Sequence, residues 1–173
     1  MAHHPYVLKD TAYLSSDMST AEGELLFVYG TLKRGQPNHN VMTDSGNGMA
    51  TFVCCCQTVD KYPLVIATAA NIPFLLVQKK GEGHNILGEV WEVDTKMRDT
   101  LDYFEGYPGY YDRVKIDVVK EGTAKHSEDG SNSKKLLTCW VYAIRCYSDE
   151  MLQRKHYADY DSYGEHGLPY KKE

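Results

Sequence analysis

The sequence contains no long hydrophobic run and no excess of positive charge. No apolar stretch approaches the roughly 18–20 residues of a membrane-spanning helix, and the first residues lack the apolar core of a secretory signal. The net charge is −5, the isoelectric point is near 5.8, and no basic stripe appears. We therefore expect a cytoplasmic protein that binds neither membranes nor nucleic acid.

Signatures of several enzyme chemistries are also missing. The sequence lacks G-x-S-x-G, which presents the nucleophile of many serine hydrolases, and it lacks the Walker and dinucleotide-binding glycine patterns. Three of the five cysteines are consecutive, Cys54 to Cys56, and no pair has the C-x2-C spacing of a zinc site. Because neighbouring side chains of a strand point to opposite faces, the three cannot converge on one metal. We expect all five, including Cys139 and Cys146, to be packing residues.

The order of strand and helix signals predicts one α+β domain. Residues 1–24 are polar and without a clear period, which predicts a flexible N-terminal extension before a single domain over 25–173. Many strands, few helices and no βαβ alternation favour a small mixed or antiparallel β-barrel with a few short helices. The 121–135 segment is charged and rich in Gly and Ser, as in a long solvated loop. The predicted strands are Leu25–Tyr29, Thr51–Val59, Leu64–Ala67, Phe74–Val77, Ile86–Val93, Arg113–Val119 and Leu136–Ile144; the predicted helices run from Thr95 to Phe104 and from Pro37 through Met42.

The first strand ends abruptly at a possible anion-binding turn. Its apolar residues run directly into Gly30 and Thr31. Glycine allows a sharp turn and a close approach to a ligand, because no Cβ stands in the way. If the chain leaves the sheet here, its free backbone N–H groups form a nest suited to a carboxylate or an oxyanion, and Lys33 and Arg34 add positive charge beyond it. Taken alone, the segment also fits an ordinary turn after a strand.

A second candidate site lies at the end of the predicted long helix. Asp94 is a plausible N-cap, and Gly106 and Pro108 stop the helix. Glu105 falls four residues after Leu101 on the apolar face, so burial there would raise its pKa. An inward carboxyl group without a nearby Lys or Arg in sequence is a candidate general acid/base, although a partly exposed Glu near a turn is the simpler alternative. We expect Asp102, on the same helix, to face solvent.

Several separated motifs occur in an order that resembles one family. They are Tyr29-Gly30-Thr31-Leu32, the continuation from Lys33 to His39, Tyr62-Pro63-Leu64-Val65, Asn71-Ile72-Pro73, the segment from Gly88 to Val93, the Glu105 segment, Tyr111-Asp112-Arg113 and Trp140-Val141-Tyr142. Together they resemble the gamma-glutamylcyclotransferase-like superfamily, and the segment from Lys33 to His39 looks like its gamma-glutamylamine branch. The resemblance spans about Leu25 to Tyr170.

This resemblance implies an enzyme that converts γ-glutamylamines, such as ε-(γ-glutamyl)-lysine, into 5-oxoproline and a free amine. It implies Glu105 as the catalytic acid/base, Tyr29, Gly30, Thr31 and Leu32 as substrate-binding residues, and no metal or cofactor. The substrate is a small molecule, and we expect a monomer. Two alternatives remain open: a cyclotransferase for γ-glutamyl-amino acids, and a silent barrel that binds a small acid or a protein. In the Tyr-rich C-terminal tail, Tyr160 and Tyr163 either cover the site or belong to a surface strap.

Overall fold

A computed structural model describes residues 23–120 and 135–172, so the predictions for most of the N-terminal extension and for the 121–134 loop lie outside the described residues. The strands are β1 (Glu24–Val28), β2 (Ala50–Tyr62), β3 (Leu64–Ala67), β4 (Ile72–Leu75), β5 (His84–Val93), β6 (Tyr111–Lys120) and β7 (Leu136–Ile144). The helices are α1 (Asn40–Thr43), α2 (Thr95–Glu105) and α3 (Asp149–Leu152). None of the helices in these ranges is long and apolar enough to cross a membrane.

Five strands close into a barrel in the order β1-β5-β2-β6-β7. Neighbours pair antiparallel, except that β1 meets β7 in parallel where Leu26 lies opposite Trp140. Strands β3 and β4 form a separate antiparallel hairpin. The predicted α+β class with a mixed barrel is therefore confirmed.

Strand β1 is buried on both faces, which places its end deep in the molecule. Leu26 and Val28 pack into one hydrophobic cluster, and Phe27 and Tyr29 pack into a second. All four side chains are buried, as expected for a continuous apolar run at the centre of a fold. A turn that follows such a strand begins inside the protein rather than at its surface.

The β3–β4 hairpin is tighter than the sequence predicted. Thr68 and Asn71 both adopt left-handed backbone conformations, with φ of 65° and 56°. This compact turn starts β4 at Ile72 instead of Phe74, and Val77 falls in a short 3-10 turn. Pro73 lies inside the strand, which β4 tolerates because it is an edge strand of a two-stranded sheet.

Local signals define α2 well and α1 poorly. The Asp94 side chain accepts a hydrogen bond from the Met97 N–H at 2.7 Å, and Gly106 ends α2 in the left-handed conformation (φ 65°). The prediction that Pro37 opens the short helix is wrong. Separate turns occupy this segment, and α1 begins only at Asn40.

The cysteines pack as their alternation along a strand requires. Cys54 and Cys56 are buried on one face of β2, and Cys55 is half-buried on the other. All five are free thiols, with Cys139 buried and Cys146 exposed.

Candidate active site

A cavity of about 260 Å³ opens where β1 ends. Five parts of the chain form its wall: the end of β1 with the following segment as far as Asn38, the start of β4, the end of α2 with the start of β6, Tyr142 of β7, and the C-terminal segment. The structure thus brings together Glu105 and the turn Tyr29 to Leu32, the two features that the sequence singled out. The lining residues are Leu26, Phe27, Val28, Tyr29, Gly30, Thr31, Leu32, Asn38, Ile72, Pro73, Phe104, Glu105, Tyr110, Tyr111, Tyr142 and Tyr170.

The turn after β1 presents free backbone donors to this cavity. The Lys33 N–H donates to the Gly30 carbonyl at 3.1 Å, which makes Thr31 and Leu32 the central residues of a tight turn. Within the described ranges, the N–H groups of Gly30, Thr31 and Leu32 have no protein acceptor. Asn38 braces the turn, because its backbone N–H donates to the Thr31 carbonyl at 2.9 Å and its amide to Thr31 Oγ1 at 3.0 Å. A turn with several free N–H groups is suited to binding a negatively charged group.

The need for glycine at position 30 comes from packing rather than from an unusual dihedral angle. Gly30 does not have a positive φ. A Cβ built there would lie 2.9 Å from Pro73 Cγ, which is closer than real Cβ atoms approach a neighbour. Gly30 therefore lets β1 and β4 meet at the wall of the cavity.

The two cations after the turn do not point at the cavity. Lys33 forms an ion pair with Asp159, and the Arg34 guanidinium contacts Glu89 with Nε at 2.9 Å from the carboxylate. Neither residue lines the cavity, so the positive charge predicted beyond the turn is present but is balanced by carboxylates outside the cavity. An anion in this site would be held by neutral backbone donors.

Glu105 is the last residue of α2 and, among the lining residues that the structure describes, the only one with a carboxyl side chain. Within the described ranges its carboxyl group has no hydrogen bond and no ion pair. Burial raises the pKa of Glu105 to about 8, because the charged form loses hydration. An unpaired carboxyl group with a pKa near neutrality suits proton transfer in both directions.

Asp102 does not face solvent, contrary to the prediction. The Tyr142 hydroxyl donates to Asp102 Oδ1 at 2.7 Å, and Arg113 Nε lies 3.3 Å from the same oxygen. The Asp102 side chain therefore ties α2 to strands β6 and β7. Helical spacing predicted only that Asp102 and Glu105 share a helix, and partners from distant strands decide which way Asp102 points.

The lining tyrosines are neutral donors or apolar walls. The Tyr29 hydroxyl donates to the Tyr142 carbonyl at 3.1 Å and thereby joins β1 to β7. Burial, followed by the negative charge of Glu105, raises the pKa of Tyr29. Burial also raises the pKa of Tyr111 and Tyr142. None of these phenols acts as a base near neutral pH.

The tail reaches the cavity through a different residue from those singled out in it. Tyr160 is buried in the second hydrophobic cluster and Tyr163 is 72% exposed, and neither lines the cavity. Tyr170 does line it. Asn38 lies in the family-like segment from Lys33 to His39, but no role was predicted for it, because only its place after the turn motif could have indicated one.

Comparisons with known proteins identify a family that this chain resembles over most of its length. The family model described as gamma-glutamyl cyclotransferase, AIG2-like, matches residues 26–162. A rat relative called gamma-glutamylaminecyclotransferase is 45% identical over 145 residues, which is 84% of this chain and 94% of the relative. A human relative of the same name is 44% identical over 147 residues, covering 84% and 95%.

A solved structure extends the similarity to the fold. The crystal structure of an AIG2-like protein from mouse superposes with a TM-score of 0.78 at 42% identity, covering 88% of this chain and 97% of the mouse chain. The family match and these relatives each extend over most of the chain. The chain therefore belongs to the gamma-glutamyl cyclotransferase, AIG2-like family.

Proposed function

We propose that this protein is a gamma-glutamylamine cyclotransferase that converts ε-(γ-glutamyl)-lysine and related γ-glutamylamines into 5-oxoproline and free amine. The observation that carries the proposal is the unpaired carboxyl group of Glu105 in the same cavity as the free N–H groups of the turn after β1. The rat and human relatives named for this activity support it.

The cavity matches the two charged groups of a γ-glutamyl substrate. The substrate α-carboxylate binds to the N–H groups of Gly30, Thr31 and Leu32, which need no balancing cation. The α-ammonium binds beside Glu105, and its positive charge lowers the pKa of that carboxyl group again. These contacts fix Cα, and the side chain then folds back within the cavity so that the γ-carbonyl carbon lies close to the α-nitrogen.

The reaction closes a five-membered ring. Glu105 takes a proton from the α-ammonium, and the freed amine attacks the γ-carbonyl carbon to form the new C–N bond. The tetrahedral intermediate then loses the old C–N bond, and Glu105 returns a proton to the leaving nitrogen. Two protons leave the α-nitrogen in all, and both end on the released amine as it becomes an ammonium ion. The nucleophile is part of the substrate, so positioning supplies much of the rate enhancement.

Substrate choice follows from a wall without cations. Among the residues that the structure describes, those that line the cavity include no Lys, Arg or His. A γ-glutamyl-α-amino acid carries a second carboxylate beside the scissile nitrogen, and this wall offers no cation to hold it. The leaving group of an isopeptide instead begins with an aliphatic chain and keeps its charges far from the reacting bond.

A substrate panel tests the proposal. We expect 5-oxoproline to form readily from ε-(γ-glutamyl)-lysine and from a γ-glutamyl-alkylamine, and poorly from a γ-glutamyl-α-amino acid and from glutathione. The measurement is kcat/KM for 5-oxoproline formation with each compound. A preference for the γ-glutamyl-α-amino acid or for glutathione would show that the protein is a cyclotransferase for γ-glutamyl-amino acids. If none of the four compounds gave 5-oxoproline, the catalytically silent barrel would be the remaining alternative.

The rate should depend on pH through Glu105. Glu105 must be ionised to accept the first proton, and its pKa in the empty site is about 8. Because kcat/KM reports ionisations of the free enzyme, it should rise about tenfold per pH unit below that value and level off above it. The profile is measured with a γ-glutamyl-alkylamine from about pH 6 to 9. A flat profile over this range would contradict the assignment of Glu105 as the base.

We further infer that residues 25–173 act as one lyase domain, as a monomer in the cytoplasm, in the degradation of transglutaminase crosslinks. Five free thiols suit a reducing compartment. The cavity is lined by one chain and needs no residue from a partner to bring its acid and its anion site together.

A further inference from the structure

The C-terminal strap, residues 157–172, crosses the barrel and is fixed along its length. The Tyr157 N–H donates to the Leu64 carbonyl at 2.9 Å, and the Ala158 carbonyl accepts from the Leu87 N–H at 2.8 Å. Asp159 pairs with Lys33, which directly follows the anion-binding turn. The strap is therefore part of the architecture that surrounds the cavity.

Near its end, the strap is attached to the β3–β4 hairpin. The Pro169 carbonyl accepts from the Asn71 side-chain amide at 2.8 Å, and the Lys171 N–H donates to the Ala70 carbonyl at 2.9 Å. Between them, the Tyr170 N–H donates to Ser162 Oγ at 2.9 Å. Three consecutive residues are thus anchored through their backbones, and these bonds set the place of the Tyr170 ring at the cavity.

The cavity has an inner and an outer part. Tyr29, Tyr111 and Tyr142 are buried and form its inner wall. Phe104 is 42% exposed, Tyr110 is 49% exposed and Tyr170 is partly exposed, so these rings form its mouth. Tyr110 is held by edge-to-face contacts with Phe74 at 6.2 Å and Tyr111 at 5.1 Å.

The mouth is the exit for the leaving amine. The inner part holds the γ-glutamyl group between the turn and Glu105, so the substituent on the scissile nitrogen extends outwards between the three rings. These rings carry no charge and present large apolar faces. They suit an apolar chain beside the scissile nitrogen, and their faces also attract a distal ammonium group such as that of lysine.

We propose that Tyr170, supplied by the C-terminal strap, forms the leaving-amine subsite with Phe104 and Tyr110 and selects amines whose chain is apolar next to the scissile nitrogen. The inference rests on the proposed function and adds its specificity-determining residue. The family model ends at residue 162, so Tyr170 lies beyond the part of the chain that the model matches. Amines with an aromatic ring on a short chain belong to the substrate class of this subsite.

The test compares two substrates that share the γ-glutamyl group. γ-Glutamyl-phenethylamine fills the mouth, and γ-glutamyl-methylamine leaves it empty. In Tyr170→Ala, we expect kcat/KM for the phenethylamine to fall about tenfold, mainly through KM, and kcat/KM for the methylamine to change less than about threefold. Tyr170→Phe should behave like the wild type, because the ring and not the hydroxyl makes the contact. Tyr163→Ala is the matched control, since Tyr163 belongs to the strap but not to the cavity.

A gain of activity provides a second test that does not depend on a loss. Tyr170→Arg places a cation at the mouth, so kcat/KM for γ-glutamyl-alanine relative to γ-glutamyl-ethylamine should rise about fivefold or more. The subsite would be overturned if Tyr170→Ala lowered kcat/KM equally for both amines and Tyr170→Arg left the ratio of γ-glutamyl-alanine to γ-glutamyl-ethylamine unchanged. In that case, 5-oxoproline formation by the wild type would still support the proposed function. No 5-oxoproline from the wild type with any of these compounds would overturn both.

Discussion

Replacing Glu105 by Gln is expected to lower kcat for 5-oxoproline formation by about 10²- to 10⁴-fold, the usual contribution of a general acid/base. The amide keeps the shape of the side chain but neither takes the proton from the α-ammonium nor returns one to the leaving nitrogen. The free N–H groups of the turn still hold the α-carboxylate, so substrate binding should persist in part. Glu82→Gln is the matched control, because Glu82 is exposed and does not line the cavity.

Steady-state kinetics with a γ-glutamyl-alkylamine measures this effect, and calorimetric titration of the same compound measures binding. A Glu105→Gln protein that turns over within about threefold of the wild type would remove Glu105 from the mechanism. A variant that neither binds nor turns over would instead assign Glu105 mainly to binding of the ammonium group.

The same substitution should stabilise the folded protein. A loss of activity in a variant that is more stable than the wild type cannot be caused by misfolding. The folded-state pKa of Glu105, about 8, lies above its value of about 4.5 in an unfolded chain. Above pH 4.5 the unfolded state releases this proton more readily than the folded state, so wild-type stability falls as the pH rises towards 8. Gln carries no proton to lose. Glu105→Gln should therefore melt at a higher temperature than the wild type at about pH 8, and the difference should vanish as the pH falls towards 4.5.

The sequence predicts those parts of the fold that local interactions decide. Strands β3 and β7 have the predicted bounds, and α2 extends only one residue beyond its prediction. Its cap at Asp94 and its stop at Gly106 depend on contacts within a few residues. The inward position of Glu105 follows from the same helix, since Leu101 is fully buried one turn earlier.

Contacts between distant segments account for what the sequence did not predict. Lys33 is neutralised by Asp159, which lies 126 residues away. Asp102 turns inward because Tyr142, 40 residues later, donates to it. The early start of β4 depends on Thr68 and Asn71, which both adopt the left-handed backbone conformation. Because neither residue is glycine, the sequence did not indicate so tight a turn.

Replacing Gly30 by Val is expected to lower kcat/KM by about 10²-fold, chiefly by weakening substrate binding. A Cβ at this position lies 2.9 Å from Pro73 Cγ, so a branched side chain must displace either β4 or the turn. Movement of the turn changes the direction of the N–H groups of Thr31 and Leu32, on which the α-carboxylate depends. A binding titration, with circular dichroism to confirm folding, measures the effect, and unchanged affinity in a folded variant would mean that the anion site lies elsewhere.

A compensating pair distinguishes the two ways in which Gly30 could matter. In Gly30→Ala the added methyl group would meet Pro73, through Cγ at 2.9 Å and Cβ at 3.8 Å, and no other described residue beyond its chain neighbours within 4 Å. Pro73→Ala removes that Cγ, so the double variant should regain most of the activity that Gly30→Ala loses, while Pro73→Ala alone provides the baseline. Recovery would show that Gly30 acts by letting β4 pack against the turn and so aim its N–H groups. A double variant as impaired as Gly30→Ala would show instead that the methyl group occupies space that the substrate itself needs.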